Sequence, residues 1–445
     1  MIRSRLSSCA LAVLILADAA ATRAATIEVQ PGDDFRAAMQ NLHAGDTLIM
    51  HGGTYTLSGY FELDLVGTQA QPITIRAAAG EQPSIHYDGD SQNIVNIAGS
   101  RFLVIDGIEF SGGSRGIRLI DTSDFTMRNC HVHDTAASAI NANDGGNDYA
   151  RLVFVHNEID HAGDTAEGFY LGCNDDGCRV HDSLVANNYI HDLDGPTVTQ
   201  GDGIEIKAGG YANVVRDNVI HDTAYPGITL YHVNHHGASN VIERNLVWNS
   251  GDNGIQVTAD AIVRNNIVLS AAGAGIGVHA SQGGDVANLV IVNNTVLKAS
   301  GDALHLSDVA RAVLVANNAF YAASGNAIFA GGATDQVTLV ANVGTGSLSG
   351  VSGGFDASGD IAADFSNANY SGAPPQDLVP RAGRLVGTAD AATLAPDDFN
   401  AASRSPALDV GAYRNDPAGN QGWPLQAGFK QLGDAIFANG FEARG

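Results

Sequence analysis

Three stretches of this chain carry side chains suited to moving a proton between carbon and oxygen. Tyr170 sits in Glu167-Gly168-Phe169-Tyr170-Leu171-Gly172, Glu205 and Lys207 in Gly201-Asp202-Gly203-Ile204-Glu205-Ile206-Lys207, and Tyr231-His232 follows. Lysine is scarce here (Lys207, Lys298 and Lys430), so one placed between glycines at the end of a short strand stands out. Burial can pull an amine toward neutrality, which a guanidinium does not allow. A plain solvated lysine is the simpler reading until neighbours are found for it. Lysine and tyrosine both titrate near ~10 when unperturbed, and a pair of them can remove one proton and deliver another nearby. The matching reaction is β-elimination in a uronic-acid polymer. A base takes the C5 proton beside the carboxylate, and an acid protonates the departing O4. Glucuronate and mannuronate place that proton and that oxygen on one side of the ring, so base and acid must share a side as well.

The elements that position these groups repeat. Val155-His156-Asn157, Ala186-Asn187-Asn188, Arg216-Asp217-Asn218, Glu243-Arg244-Asn245, Arg264-Asn265-Asn266, Val292-Asn293-Asn294 and Ala316-Asn317-Asn318 recur every 21 to 31 residues. Such a period, with strands between asparagine and glycine turns, means stacked coils. Helical stripes and leucine-rich patterns are both absent. The expectation is an all-β, single-stranded right-handed parallel β-helix with a stacked Asn ladder, an N-terminal cap helix and an irregular C-terminal segment. Aligning Gly116, Gly168, Gly203, Gly227, Gly254 and Gly275 turns Phe169/Leu171, Ile204/Ile206, Ile228/Leu230, Ile255/Val257 and Ile276/Val278 inward. Arg118, Asn141, Asn143, Tyr170, Glu205, Lys207, Thr229, Tyr231, Gln256, Thr258, His279 and His305 then face outward, on coils about 4.8 Å apart. Tyr170 and Tyr231 flank Lys207 on the coils before and after it. Arg118, Asn141 and Asn143 are the expected neutralisers of a substrate carboxylate, and Glu205, Tyr231 and His232 complete the expected binding set. Arg216, Glu243 and Arg264 share another column, expected to be a structural salt-bridge ladder.

Composition bounds the rest. The 445 residues are 44% hydrophobic and 16% charged, enough for a long core, and the formal net charge is −25. So acidic a surface argues against nucleic acid and anionic membranes, and mildly against any polyanion. Residues 1–24 read as a secretory signal, with Arg3 and Arg5 ahead of an apolar run and small residues near Ala21 to Ala25. Cys9 in Leu6-Ser7-Ser8-Cys9 precedes the apolar run, so lipidation is discounted. A secreted or periplasmic monomer without a membrane-spanning segment is expected, with an anionic polysaccharide as partner. Cys173 and Cys178 bracket four residues and suit a disulfide in an oxidising compartment, while Cys130 falls at a ladder position and reads as a buried thiol. Residues 25–375 are expected to form the β-helix, with a strand at 27–31 and a helix over 35–42 capped by Asp33-Asp34. Residues 376–445 would close the last coil, with Asp397-Asp398-Phe399 and residues 405–412 prominent in them. Ile436 to Glu442 form a terminal motif.

The segments around Tyr170 and Lys207, together with Asn213-Val214-Val215-Arg216-Asp217-Asn218-Val219-Ile220-His221-Asp222, resemble the β-helix polysaccharide lyases of family 31, which act on poly-mannuronate-type alginate and on β-1,4-glucuronan. The likeness spans roughly residues 26–345 in organisation and is specific from Tyr170 to Lys207. It implies Lys207 as base and Tyr170 as acid, roles that spacing alone does not assign. A more distant likeness is to the family 6 alginate and dermatan lyases, where lysine is paired with arginine and calcium is a candidate cofactor; Tyr231-His232 stands where that arginine would be sought. No cofactor and no metal ligands are expected, with a divalent cation left open. Four other readings stand beside this one. A calcium pectate lyase would draw on Asp175, Asp176 and Asp202, and a C5-epimerase would need an Asp-Pro-His-Asp run that is missing. A glycoside hydrolase would use Glu205 and Glu167 as opposed carboxylates. A non-catalytic adhesin would bind sugar on the Tyr170/Tyr231 platform.

Overall fold

The computed structural model describes residues 24–381 and 383–431. Residues 1–23 of the expected signal, and the motif at 436–442, lie outside the described residues. Each coil lays one short strand in each of three parallel sheets, joined in register to the coils before and after it. The first sheet holds strands such as Leu184–Ala186 and Val214–Arg216, which run into the Asn turns. Tyr189–His191 and Val219–Thr223 belong to the second, and Phe169–Leu171, Ile204–Ile206 and Ile228–Leu230 to the third. The chain starts as expected, with strand Thr26–Val29 and helix Phe35–Gln40, whose first turn is capped by the Asp34 carboxylate accepting from the Ala37 amide at 3.1 Å. That helix seats Phe35 against Tyr55 and Phe61 at the open end of the core.

Periodicity set the interior. Inward positions Phe169, Leu171, Ile204, Ile206, Ile228, Leu230, Ile255 and Val257 are all sealed from solvent in one continuous core. Glycine precedes the third-sheet strands because coils touch there: a Cβ on Gly203 would stand 2.5 Å from the Gly227 carbonyl oxygen. The Asn ladder runs unbroken from Asn157 through Asn188, Asn218, Asn245, Asn266, Asn294 and Asn318 to Asn342. Each corner needs a left-handed residue just before its ladder asparagine, with φ of 53° at Asn187, 59° at Asp217 and 57° at Arg244. Asn and Asp tolerate that region best. A second, shorter ladder links Ser183, Asn213 and Asn240 at the entry to the first sheet. Cys130 occupies the ladder position of its coil: its amide donates to Asn157 and its thiol to the Arg128 carbonyl, and burial pushes the thiol up to about 12.

Asn218 shows what the ladder contributes. Its amide nitrogen donates to the Val185 carbonyl and Asn245, while its oxygen accepts from the backbone and side chain of Asn188, all within 3.0 Å and wholly buried. Asn218→Ala would leave several buried polar groups unpaired at about 1–3 kcal/mol each. We expect a loss of roughly 3 kcal/mol or more, read as a lowered urea midpoint against the exposed variant Asn367→Ala. Equal midpoints would contradict a stabilising ladder.

Two expectations need correction. Of the salt-bridge ladder, only the pair Glu243–Arg264 forms, at 2.6 Å. The other Glu243 oxygen turns to Arg244 at 3.0 Å, and Arg216 makes no ion pair among the described residues. Nor do Asp397–Phe399 and the 405–412 stretch close the last coil. After the last parallel pairing, at Phe355–Asp356, the chain turns back and runs along the flank of the helix toward its N-terminal coils. It meets one Asn corner after another: Asp390 at Asn317, Ala395 at Asn293, Asp397 at Asn265 and Arg244, and Lys430 at Asp217 and Asn187. Phe399, Tyr413 and Trp423 bury the outward apolar residues of the second sheet, among them Leu246, Trp248, Ile267 and Leu269.

Candidate active site

The third sheet carries the candidate residues on its outer face. Pairing in register puts Arg118, Asn141, Tyr170, Glu205 and Thr229 in one column. Two residues further along, Asn143, Gly172, Lys207 and Tyr231 form the next, since each follows its paired strand by one position. Alternation along Ile204–Ile206 therefore aims Glu205 and Lys207 the same way. The amine lies 2.5 Å from a Glu205 oxygen, 4.4 Å from the centre of the Tyr170 ring and 5.3 Å from that of Tyr231. Gly172, with φ of +95°, is what lets the coils close here: a Cβ on it would come within 3.0 Å of the Lys207 Cβ.

The sequence placed Lys207 on the surface of this face as an amine drawn toward neutrality. The structure differs. Lys207 is 6% exposed and Glu205 only 2%. Burial alone would lower the amine, but the Glu205 charge and hydrogen bond, with Tyr170 adding to them, hold it above its ordinary value. Glu205 thus faces the amine and not solvent, contrary to its expected part in substrate binding. Tyr231 also serves it, donating from its hydroxyl to the same Glu205 oxygen at 3.2 Å. Burial raises the Tyr170 phenol, with Lys207 opposing and Glu205 assisting, so Tyr170 is a neutral proton donor at neutral pH.

Beneath this pair lie two more carboxylates. Burial, with the Glu205 charge adding to it, pushes Glu167 up to about 6. The same two causes lift Asp202 well above the carboxylate range, although it accepts a hydrogen bond from Thr229 at 2.5 Å. Glu167 and Glu205 are both sealed off and each keeps a buried oxygen without a partner. They do not form the two solvent-facing carboxylates that hydrolysis of a glycoside needs.

The remaining expected residues divide. Asn141 is 1% exposed, its amide spent on Ser138, so it is not an available donor. Arg118 is ion-paired to Asp144, two coils from Tyr170. Asn143 is half-buried and its side chain has no hydrogen bond among the described residues; it faces Lys207 across the space that Gly172 leaves. His232 is buried and donates to the Gln282 carbonyl at 3.0 Å, which supports a turn. Cys173 and Cys178 are bonded, with Cα atoms 4.9 Å apart. Their loop carries Asn174, which accepts from Gln282 at 3.0 Å, and Asp176, which binds His236 at 2.6 Å and Arg179 at 2.7 Å. Gln282 was missed from the sequence because it lies in a turn four coils after the loop it bridges, and no local pattern announces it.

Comparison with known proteins agrees with this architecture. A family model described as a Pel9A-like right-handed β-helix region matches residues 14–192. The chain is a right-handed parallel β-helix. A second model, the periplasmic copper-binding protein NosD, matches residues 155–343. Among solved structures, XylC in complex with xylose superposes with a TM-score of 0.57 at 12% identity, over 89% of this chain and 99% of that one. The pectate lyase Pel9A gives 0.50 at 15% identity, over 88% and 96%. A point mutant of the PL6 family alginate lyase AlyGC gives 0.50 at 16% identity, over 91% of this chain and 60% of that one. No curated protein matches the sequence. Among the described residues no helix is long and apolar enough to cross a membrane.

Proposed function

We propose that this protein is an exported polysaccharide lyase of the family 31 type, acting as a monomer on a β-1,4-linked uronate polymer, either poly-mannuronate alginate or glucuronan. The observation that carries this reading is the amine of Lys207 held 4.4 Å from the Tyr170 ring on the same outer face. Lys207 takes the C5 proton, and the electron pair of that C–H bond becomes the C4=C5 double bond as the C4–O4 bond breaks. Tyr170 protonates the departing O4, leaving an ammonium, a phenolate and two shorter chains. Asn143, in the same column as Lys207 and without a side-chain hydrogen bond among the described residues, is the candidate donor for the substrate carboxylate, whose neutralisation acidifies the C5 proton. That a pectate lyase and an alginate lyase share the fold is in keeping with this reading. The test is incubation with poly-mannuronate, glucuronan, polyguluronate and xylan. An ultraviolet-absorbing unsaturated product should appear from one of the first two. Reducing ends without that chromophore would sink the lyase reading, and binding without turnover would favour an adhesin.

Glu205 sets the pH at which this works. Because its charge holds Lys207 above the ordinary amine value, the ammonium dominates at neutral pH and the basic form grows as pH rises. kcat/KM should therefore climb into the alkaline range, where Tyr170, also raised, remains protonated. Glu205→Gln removes the largest influence holding the amine up, so the ascending limb should move to lower pH. An unmoved limb in a folded variant would mean that Lys207 is not the base.

A further inference from the structure

The second sheet, on a different side of each coil from Lys207, carries an assembly of imidazoles and carboxylates that the proposed reaction does not use. Strands Glu109–Gly112, His131–His133 and Glu158–Asp160 lie on three successive coils, paired so that Glu109, His131 and Glu158 form one outward column. His133 and Asp160 stand opposite one another in the next column. The ligand atoms of Glu109, His131 and His133 all lie within 4.8 Å of one another, and so do those of His131, Glu158 and Asp160. His131 belongs to both trios. Its Nε2 is 2.6 Å from Asp160, and that of His133 is 3.4 Å from Glu109. The two imidazoles stack with centres 4.2 Å apart.

Two features separate this cluster from an ordinary surface network. Histidine–carboxylate pairs occur elsewhere, as at His305–Asp302 and His51–Glu81, but among the described residues only these two trios bring three such ligand atoms within reach of one ion. Here, among the described residues, Glu109, Glu158 and Asp160 have ion-pair partners among histidines alone. With neutral imidazoles, three negative charges face several nitrogen lone pairs with no fixed cation between them. The backbone also pre-sets the distances. Donors at ~2.0–2.1 Å from one tetrahedral ion stand roughly 3.3 Å apart, so shifts of about an ångström complete either trio. The three strands are already held in register by their parallel pairing, so little reordering is needed to do so.

We propose that this face binds a divalent transition-metal ion of borderline softness, Zn2+ or Cu2+, with His131 as the shared ligand. Glu109 and His133 complete the set on one side, or Glu158 and Asp160 on the other. Mixed imidazole and carboxylate donors select such ions over Ca2+ and Mg2+, which prefer oxygen alone. The ion would tie two consecutive coils together, the His131 coil and either the one before it or the one after it. It plays no part in the proton transfers at Lys207.

The experiment is calorimetric titration of the untagged, EDTA-stripped protein with ZnCl2 and with CuSO4. CaCl2 and MgCl2 serve as hard-ion controls. One equivalent of Zn2+ or Cu2+ should bind, with a melting temperature that rises on binding, and Cu2+ should show nitrogen hyperfine structure in its EPR spectrum. His131→Ala and the more conservative His131→Gln should weaken binding at least about tenfold and remove the imidazole signature. Exposed His43→Ala should change neither. The proposal is overturned by the absence of transition-metal binding above the Ca2+ level, or by binding that survives both His131 variants. A cluster that only serves as a hydrogen-bonded ladder would give the first of these results.

Discussion

Lys207→Ala should remove unsaturated product formation by about three orders of magnitude, the scale expected when a positioned general base is lost. Tyr170→Phe, which keeps the ring packed beside the amine and deletes only the hydroxyl, should cost about 100-fold or more. The single lysine variant has a weakness as a test, because it strands Glu205 in a buried setting where it is 2% exposed. Breaking one side of a buried ion pair costs roughly 3–5 kcal/mol, so inactivity could come from a damaged coil. The double variant Lys207→Met/Glu205→Gln removes both charges and fills the same space, a change that is often neutral in stability. It should melt close to the parent and still be inactive. A folded double variant that keeps product formation within tenfold of the parent would end the assignment of Lys207 as base.

Lys207 and Tyr170 could be found in the sequence because a strand's two-residue period and the glycine and asparagine turns decide which side chains share a face. Register, once set, brings Tyr170, Lys207 and Tyr231 onto neighbouring coils, where the structure has them. How deep a residue sits on that face is another matter. Lys207 is covered by the two tyrosine rings, and the disulfide loop beside them is held by Gln282 from four coils away. Asn141 likewise turned inward to Ser138, a choice between rotamers that no alternation pattern encodes. The state of the amine was misjudged for the same reason, since its partner Glu205 was assigned to the substrate.

The C-terminal stretch shows the opposite case, where the signal was present but had no period. Asn187, Asp217, Arg244, Asn265 and Asn293 are the left-handed corner residues, and a regular helix would leave them to solvent. They are instead buried under residues 390–431. Arg404, Lys430 and the aromatic residues of this stretch have no repeat partners in the coils, and a charged residue without a repeat position says nothing of where it docks. Arg404 became fully buried by donating to the carbonyls of Asp409, Gly411 and Ala412 and to Asn265.

The last of those docking points should carry the largest stability effect in the molecule. Asp217, 1% exposed, accepts from Arg244 at 3.1 and 3.2 Å and from Lys430 at 2.9 Å. Burial drives its carboxyl upward, yet the two cations overcome that and hold it below the ordinary range; burial pulls Lys430 down to about 8 despite Asp217. Asp217→Ala would leave an ammonium and a guanidinium facing each other in a sealed space, at a cost of about 3–5 kcal/mol. Arg244 keeps Asp397 and Glu243 as charged partners, whereas Lys430 keeps, among the described residues, the carbonyls of Arg244 and Phe399 and the face of the Phe399 ring, with no second carboxylate. The returning segment should therefore detach first at its Lys430 end, exposing Trp248 and Leu246 and opening the 414–431 stretch to trypsin while the coils stay intact. Adding Lys430→Met to Asp217→Ala removes one stranded charge and should restore part of the loss, a coupling that a double-mutant cycle measures. Simple additivity of the two changes, or tryptic cleavage within the coils before the tail, would show that this ion cluster does not pin the segment.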